Sequence, residues 1–251
     1  MITWKRAAEI EGDHTLFGTD GAVNVLDIRQ GFLGNCWFLA AASALAEKPG
    51  RLENTFLNND NALNAAGIYG VNFFTLGVPH TVIVDDWLPT RQSNWDGSFN
   101  TIFAKVGQDA SLWGAILEKA FAKYHGNYEH IEGGSPMVAG RTLHGGPFES
   151  IRHKDWLYTD GTVYRAGVTE QELWDHLSEH DGKDDIIQAG TPGTSDSQRN
   201  NDNLVMSHAY VVLGVHTLNN GQKLVKMRNP HGSDSFNGAY SDTSGDWTQA
   251  L

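Results

Sequence analysis

The single cysteine of this chain stands in the segment GFLGNCWFLA, residues 31–40, at the start of an apolar, alanine-rich run. The run from Cys36 to Lys48 is followed by Pro49 and Gly50, which predicts a buried helix with the thiol on its first turn. That turn presents unpaired backbone N–H groups and a positive dipole end, which favour a thiolate and can receive an oxyanion. These features allow nucleophilic chemistry. The alternative is that Cys36 is a small buried hydrophobe, as most free cysteines are.

A cysteine nucleophile needs a base, and the base needs a group that orients it. The runs 207–215 and 223–229 predict two strands joined by a turn around residues 219–221. His208 begins the first strand and Asn229 ends the second, so this hairpin could place an imidazole beside an amide. The chain has eleven histidines, and a lone histidine is more often a surface or core residue than a catalyst. The pairing is therefore weak evidence on its own.

The other periodic segments predict a mixture of helices and strands, namely helices over 112–126 and 169–180 and a hairpin of strands over 68–77 and 80–90. The stretch 133–146 is glycine-rich and aperiodic, which predicts a seam between two units. We expect an N-terminal unit over 1–145 and a strand-rich C-terminal unit over 146–251. The polar stretch 190–203 is typical of a mobile loop.

Composition limits the class of protein. A chain of 251 residues, 40% of them hydrophobic, can bury a substantial core. One cysteine allows no internal disulfide, and no long uncharged apolar stretch is present, so we expect a soluble cytoplasmic protein without a membrane segment. Residues 1–17 carry both charge signs and do not resemble a targeting segment. A formal net charge of −12 argues against a nucleic-acid partner.

The stretch DIRQGFLGNCW, residues 27–37, resembles the active-site segment of the calpain family of papain-like cysteine proteases, whose pattern is Q-G-x-L-G-D-C-W. Further segments resemble that family in the same order along nearly the whole chain: WKR at 4–6, VDDWLPT at 84–90, LWGAILEKAFAK at 112–123, YEHIEGG at 128–134, HAY at 208–210 and MRNPHG at 227–232. Each motif alone is moderately specific. Because several occur in one order, the sequence is identified as a member of the family.

The resemblance implies an α+β, papain-like fold, in which a helix-bearing N-terminal lobe and a strand-rich C-terminal lobe enclose a cleft. It also implies a role for each matching residue. Cys36 is the expected nucleophile, His208 the base that later protonates the leaving amine, and Asn229 the amide that holds the imidazole. Gln30 is the expected oxyanion donor beside the backbone N–H of Cys36. The implied function is a cysteine endopeptidase that cleaves extended segments of protein substrates through an acyl-thioenzyme.

Three positions depart from the family pattern. Asn35 replaces the aspartate before the cysteine, Ser207 the glycine before the histidine, and His231 the tryptophan after Asn-Pro. In the family that tryptophan shields the histidine–asparagine hydrogen bond from water. An imidazole shields it less well and adds a titratable group, so we expect reduced or pH-shifted activity.

The resemblance further implies two calcium sites in the protease core. Asp27 matches a ligand of the first site and Asp242 a ligand of the second, but Ser111 and Ser235 stand where the family has glutamates. Calcium affinity depends on the number of charged oxygen ligands. We therefore expect weak or absent calcium control and no required cofactor.

Two other functions stay open. A calpain-like fold that has lost turnover would act as a scaffold or peptide-binding module; the changes at Asn35, Ser207 and His231 keep this function open, although the intact catalytic set favours the peptidase. Transglutaminase-type acyl transfer uses the same nucleophile but usually has an aspartate where Asn229 stands.

The paired carboxylates at 85–86 are interpreted as a strand end before a turn rather than as an acid–base pair. The oligomeric state is not predictable from these features.

Overall fold

The structure is a computed structural model that describes residues 1–10, 12–151, 153, 167–183 and 185–247. Within these ranges the chain forms four α-helices and eight strands: β1 (Ile2–Arg6), α1 (Cys36–Leu45), β2 (Ile68–Thr75), β3 (Val78–Asp85), β4 (Trp87–Gln92), β5 (Phe99–Thr101), α2 (Trp113–His125), α3 (Pro136–His144), α4 (Glu170–Asp181), β6 (Ile187–Gly190), β7 (Ala209–Thr217) and β8 (Lys223–Arg228). The predicted mixed α+β class is confirmed.

The strands form three antiparallel sheets, ordered β1-β4-β5, β2-β3 and β6-β7-β8. The prediction of one strand over 80–90 was wrong, because the chain changes sheets at Asp86. The buried Asp86 carboxylate forms an ion pair with Arg6, and its backbone N–H donates to Gly67. These contacts separate β3, which pairs with β2, from β4, which pairs with β1 and β5.

Helix α1 is central to the core, and every residue from Trp37 to Leu45 is buried. It starts at Cys36 as predicted and ends three residues before Lys48, where Ala46 closes the last turn by donating to Ala42. The ring of Phe38 stacks on Phe121 of α2 with centroids 3.9 Å apart. Such aromatic packing holds the two predicted helices together.

Helix α3 was missed, because the region 133–146 was predicted to be aperiodic. Pro136 occupies the first turn, where its missing N–H costs nothing, and Gly145 ends the helix with a left-handed φ of 69°. The buried side of the helix is made of Ala139, Leu143 and small residues. This short, small-residue face lacks the apolar period that identifies longer helices. The proposed boundary between units at residues 145 and 146 stays a prediction.

The C-terminal hairpin follows the prediction closely. β7 and β8 pair antiparallel with Val211 opposite Arg228, so His208 and Asn229 lie just beyond the paired ends. The predicted capping box of α4 is present, with Thr169 accepting from the Glu172 N–H and the Glu172 carboxylate accepting from the Thr169 N–H. Among the described residues, no helix has the length and apolar character needed to cross a bilayer.

Candidate active site

The thiol of Cys36 lies half-buried at the N-terminus of α1. The backbone N–H groups of Ala209 and Trp37 donate toward the sulfur, which stabilises a thiolate. Burial nevertheless outweighs these donors and raises the pKa of the thiol above its ordinary value. The helix N-terminus alone had suggested a lowered pKa; the difference arises because desolvation opposes the charged form.

His208 and Asn229 lie side by side, as the predicted hairpin requires. The buried imidazole Nε2 donates to Asn229 Oδ1 at 2.9 Å. With the proton on Nε2, Nδ1 is an acceptor, and it is buried without a hydrogen-bond partner among the described residues. Burial lowers the pKa of His208 to about 4, although the bond to Asn229 opposes the shift. The imidazole is therefore neutral at physiological pH.

The backbone of His208 is held by Thr191, the residue that follows β6. The His208 N–H donates to Thr191 Oγ1 at 3.1 Å, and the Thr191 N–H donates to the His208 carbonyl at 2.9 Å. The next residue along the chain, Ala209, is the one that reaches the thiol. The residue that follows His208 in the chain therefore lies at the thiol.

His231 covers this pair on one side. Its ring lies against the ring of His208, with centroids 4.4 Å apart and planes 31° apart. Its backbone N–H also donates to Asn229 Oδ1 at 2.9 Å. The imidazole therefore occupies the covering position at which the family pattern has a tryptophan. Burial lowers the pKa of His231, so this ring too is mostly uncharged near neutrality.

Gln30 is buried in the segment that precedes α1. Its side-chain Nε2 donates to the carbonyl of Leu33 at 2.8 Å, and an amide nitrogen carries a second N–H. Its backbone N–H donates to the carbonyl of Pro230 at 2.8 Å. This bond joins the segment containing Gln30 directly to the segment containing Asn229.

Arg228 is a site residue that the sequence analysis missed. Its guanidinium donates to Ser43 Oγ in α1 at 3.3 Å and to the carbonyls of Leu26 and Ile28 at 3.1 and 2.5 Å. The side chain is buried, which lowers the pKa of the guanidinium to about 10, still well above physiological pH. The available signal was an arginine directly before Asn229 at the end of a strand. The Arg228 side chain ties the C-terminal hairpin to the N-terminal segments.

The two residues predicted as ligands of the two calcium sites lie in different surroundings. Asp27 is buried, and its Oδ2 accepts from Trp113 Nε1 at 2.9 Å and from the Asn24 N–H at 2.8 Å. Burial, with a contribution from the Asp109 carboxylate, raises its pKa to about 6. Asp242 is exposed beyond β8. No group of three histidine, cysteine or acidic side chains that could hold a metal occurs in the described ranges, and the weak or absent calcium control stays a prediction.

A cysteine at a helix N-terminus, together with a hydrogen-bonded histidine–asparagine pair whose next residue reaches the sulfur, is typical of a class of cysteine proteases. The family model described as "Calpain family cysteine protease" matches residues 1–250. The chain therefore belongs to the calpain family of cysteine proteases.

Relatives support this membership along almost the entire chain. Calpain-type cysteine protease ADL1 of Oryza sativa subsp. japonica is 33% identical over 253 residues, covering 99% of this chain and 11% of that protein. Calpain-5 of Caenorhabditis elegans is 32% identical over 98% of this chain and 40% of its own length. Calpain-8 of Homo sapiens is 32% identical over 98% of this chain and 33% of its own length. The chain thus spans two-fifths or less of the length of these relatives.

Proposed function

We propose that this chain is the catalytic part of a calpain-type cysteine endopeptidase that cleaves extended segments of protein substrates. The observation that carries the proposal is the buried His208–Asn229 pair, whose neighbouring residue Ala209 reaches the thiol of Cys36. A reducing compartment such as the cytoplasm, where a lone thiol stays reduced, fits this chemistry.

In the proposed reaction Nδ1 of His208 takes the proton from the Cys36 thiol, and the sulfur attacks the carbonyl carbon of the scissile peptide bond. The tetrahedral intermediate collapses, the C–N bond breaks, and the imidazolium gives its proton to the leaving amine. Water then attacks the thioester with His208 as base. The carboxylic acid product leaves and the thiol is restored.

The oxyanion of the tetrahedral intermediate needs hydrogen-bond donors. The Cys36 N–H belongs to the first turn of α1 and has no acceptor one turn earlier in the helix. The second side-chain N–H of Gln30 is the other donor we assign. Asn229 keeps the imidazole in the tautomer that leaves Nδ1 open to the thiol.

The competing function is a peptide-binding module without turnover. It is favoured by the unpartnered Nδ1 of His208, which makes no hydrogen bond to the thiol in the described structure. Apo catalytic contacts are often loose and tighten with substrate, so we place this function second.

We further propose that calcium is not required, because Asp27 is already bonded to Trp113 and Asn24. The test is time-resolved cleavage of an unstructured protein by the purified chain, in calcium and in chelator, with Cys36→Ser as the control. We expect cleavage by the wild type in both conditions and none by the variant. Cleavage only in calcium would refute calcium independence, and no cleavage by a folded chain would favour the binding module.

A further inference from the structure

The most deeply buried acidic side chain near the candidate site is Glu118 of α2, which is 2% exposed. It has no cationic partner among the described residues. Its Oε1 accepts from Asn35 Nδ2 at 2.7 Å, and its Oε2 accepts from the Ala104 N–H at 2.9 Å. A carboxylate removed from water in this way is costly unless its bonds serve the fold or the function.

One partner of Glu118, Asn35, lies in the loop of residues 29–36, and the other, Ala104, lies in a segment that packs against this loop. Asn35 directly precedes Cys36 and is completely buried. Ala104 lies within a segment that pairs with the other end of the loop, where the Phe32 N–H donates to the Ile102 carbonyl and the Lys105 N–H donates to the Arg29 carbonyl. Glu118 therefore bonds to the nucleophile side directly and to the Gln30 side through one segment.

Steric contact makes this second connection rigid. A side chain at Gly31 would lie 2.0 Å from the Phe103 carbonyl and 2.3 Å from that of Ile102. The loop thus rests on the 102–104 segment with no room to shift toward it.

We propose that Glu118 is a positioning residue of the active site, which sets the geometry of Gln30 and Cys36 through Asn35 and the segment 102–104. The proposal rests on the proposed peptidase function. Glu118 touches no reacting atom. Its effect should be large because a misplacement of about 1 Å in a catalytic site can cost on the order of a hundredfold in rate.

The positioning depends on the protonation of Glu118. Burial raises its pKa to about 7, while the bonds from Ala104 and Asn35 oppose the shift. Tyr128 shares a small crevice with Glu118, lined also by Leu88, Pro89 and Thr101, and the pKa of that hydroxyl is raised by burial and by the carboxylate. Asn35 on the α1 side is neutral. Above pH 7 the carboxylate accepts both bonds, whereas the protonated acid loses acceptor strength, so positioning weakens as pH falls.

The test compares Glu118→Gln with a swapped pair, in which Glu118→Gln is combined with Asn35→Asp. In the swapped pair the new carboxylate at position 35 can accept from the new amide at position 118, whose oxygen still accepts from Ala104. One readout is kcat and KM for a peptide substrate. The other is the affinity of a peptide aldehyde, whose carbonyl adds the Cys36 S–H to form a hemithioacetal with its oxygen at the oxyanion donors. The control for destabilisation is Thr55→Val. It removes a buried hydroxyl that donates to the Leu52 carbonyl, away from this loop.

We expect Glu118→Gln to lower kcat and aldehyde affinity about tenfold or more at pH 8, with KM little changed. The deficit should shrink below pH 6, and the swapped pair should recover to within about threefold. Folded Glu118→Gln with wild-type kcat and aldehyde affinity would overturn the inference. If that variant does not fold, Asn35→Ala breaks the same bond from the other side, and unchanged aldehyde affinity there overturns it.

The aldehyde also separates the two proposals. Wild type that binds the aldehyde in a Glu118-dependent way but does not cleave peptides would refute the peptidase function and support the positioning role. Folded wild type that does not bind the aldehyde would overturn the positioning role.

Discussion

At the scale of single residues, the site differs from the family pattern mainly in the ring that covers the His208–Asn229 bond. His231 occupies that position and contacts His208 ring to ring. Its charge, when present, lowers the pKa of His208, as burial does more strongly. An imidazole is also smaller than an indole, so it excludes less water from a bond whose strength depends on a low local dielectric.

We predict that His231→Trp increases kcat/KM at pH 7.5 by about 3- to 10-fold, equivalent to roughly 1 kcal/mol of hydrogen-bond protection. Removing the second imidazole also removes a positive charge that lowers the pKa of His208 at low pH. The acid limb of the pH–rate profile should therefore move to higher pH. The measurement is a pH–rate profile from pH 5 to 9. His231→Phe is the control, since it removes the charge without adding the larger ring; an unchanged rate for His231→Trp would contradict the prediction.

Ser207, directly before His208, has a left-handed φ of 48°. A residue with a Cβ costs about 1–2 kcal/mol in this region, whereas glycine adopts it freely but loses about 0.5–1 kcal/mol of chain entropy. We predict that Ser207→Gly stabilises the fold by about 0.5–1 kcal/mol, measured as the free energy of unfolding in urea.

The matched control for this prediction is Ser233→Gly, because Ser233 is exposed and does not have a positive φ. That variant should be neutral or slightly destabilised. Equal effects at the two positions would show that backbone strain at Ser207 is not the cause.

At the scale of elements, the β7–β8 hairpin carries the His208–Asn229 pair beyond its paired ends, and Arg228 ties this hairpin to α1 and the segment before it. The guanidinium donates to the buried Ile28 carbonyl, the part-buried Leu26 carbonyl and the Ser43 hydroxyl. The Asp27 carboxylate favours its charge. These hydrogen bonds join the strand that precedes Asn229 to the helix that begins at Cys36.

We predict that Arg228→Met lowers the free energy of unfolding by about 2–4 kcal/mol, because it leaves buried acceptors unpaired. Activity per folded molecule should fall at least about tenfold as the hairpin shifts relative to α1. Denaturant unfolding and active-site titration measure the two effects separately. Arg228→Lys keeps the charge but not the fork of donors, so its stability and activity should lie between those of the wild type and of Arg228→Met. Wild-type stability in Arg228→Met would contradict this account.

At the scale of the whole molecule, the question is whether the fold responds to calcium. A ligand that binds only the folded state raises the free energy of unfolding by RT ln(1 + [L]/Kd). Asp27 is already bonded within the protein, and no cluster of metal-binding side chains occurs in the described residues.

We therefore predict that 1 mM calcium changes the unfolding temperature of the chain by less than about 1 °C, compared with chelator. The measurement is a thermal scan at matched ionic strength, with magnesium as the control for general charge screening on a chain of net charge −12. A calcium-specific rise of several degrees that disappears in Asp27→Asn would show that the first calcium site is functional.

Sequence alone determined the features that local patterns encode. The family motifs in order identified the chain, the alanine-rich run placed Cys36 at the start of α1, and two strand-like runs joined by a turn predicted the β7–β8 hairpin. These predictions succeeded because periodicity and turn residues act over a few positions. The missed α3 and the strand break at Asp86 are cases in which small-residue packing and a distant ion pair overrode the local pattern.

Only the tertiary structure decided how the site is supported. Asn35 meets Glu118 across 83 positions, and Arg228 meets Ser43 across 185. No local period predicts such contacts, because they depend on how the packed elements bring distant side chains together. The same holds for the pKa values: a helix N-terminus favours a thiolate at Cys36, but burial in the assembled core raises the pKa of that thiol. The sequence therefore identified the proposed catalytic residues, while the fold set their environment.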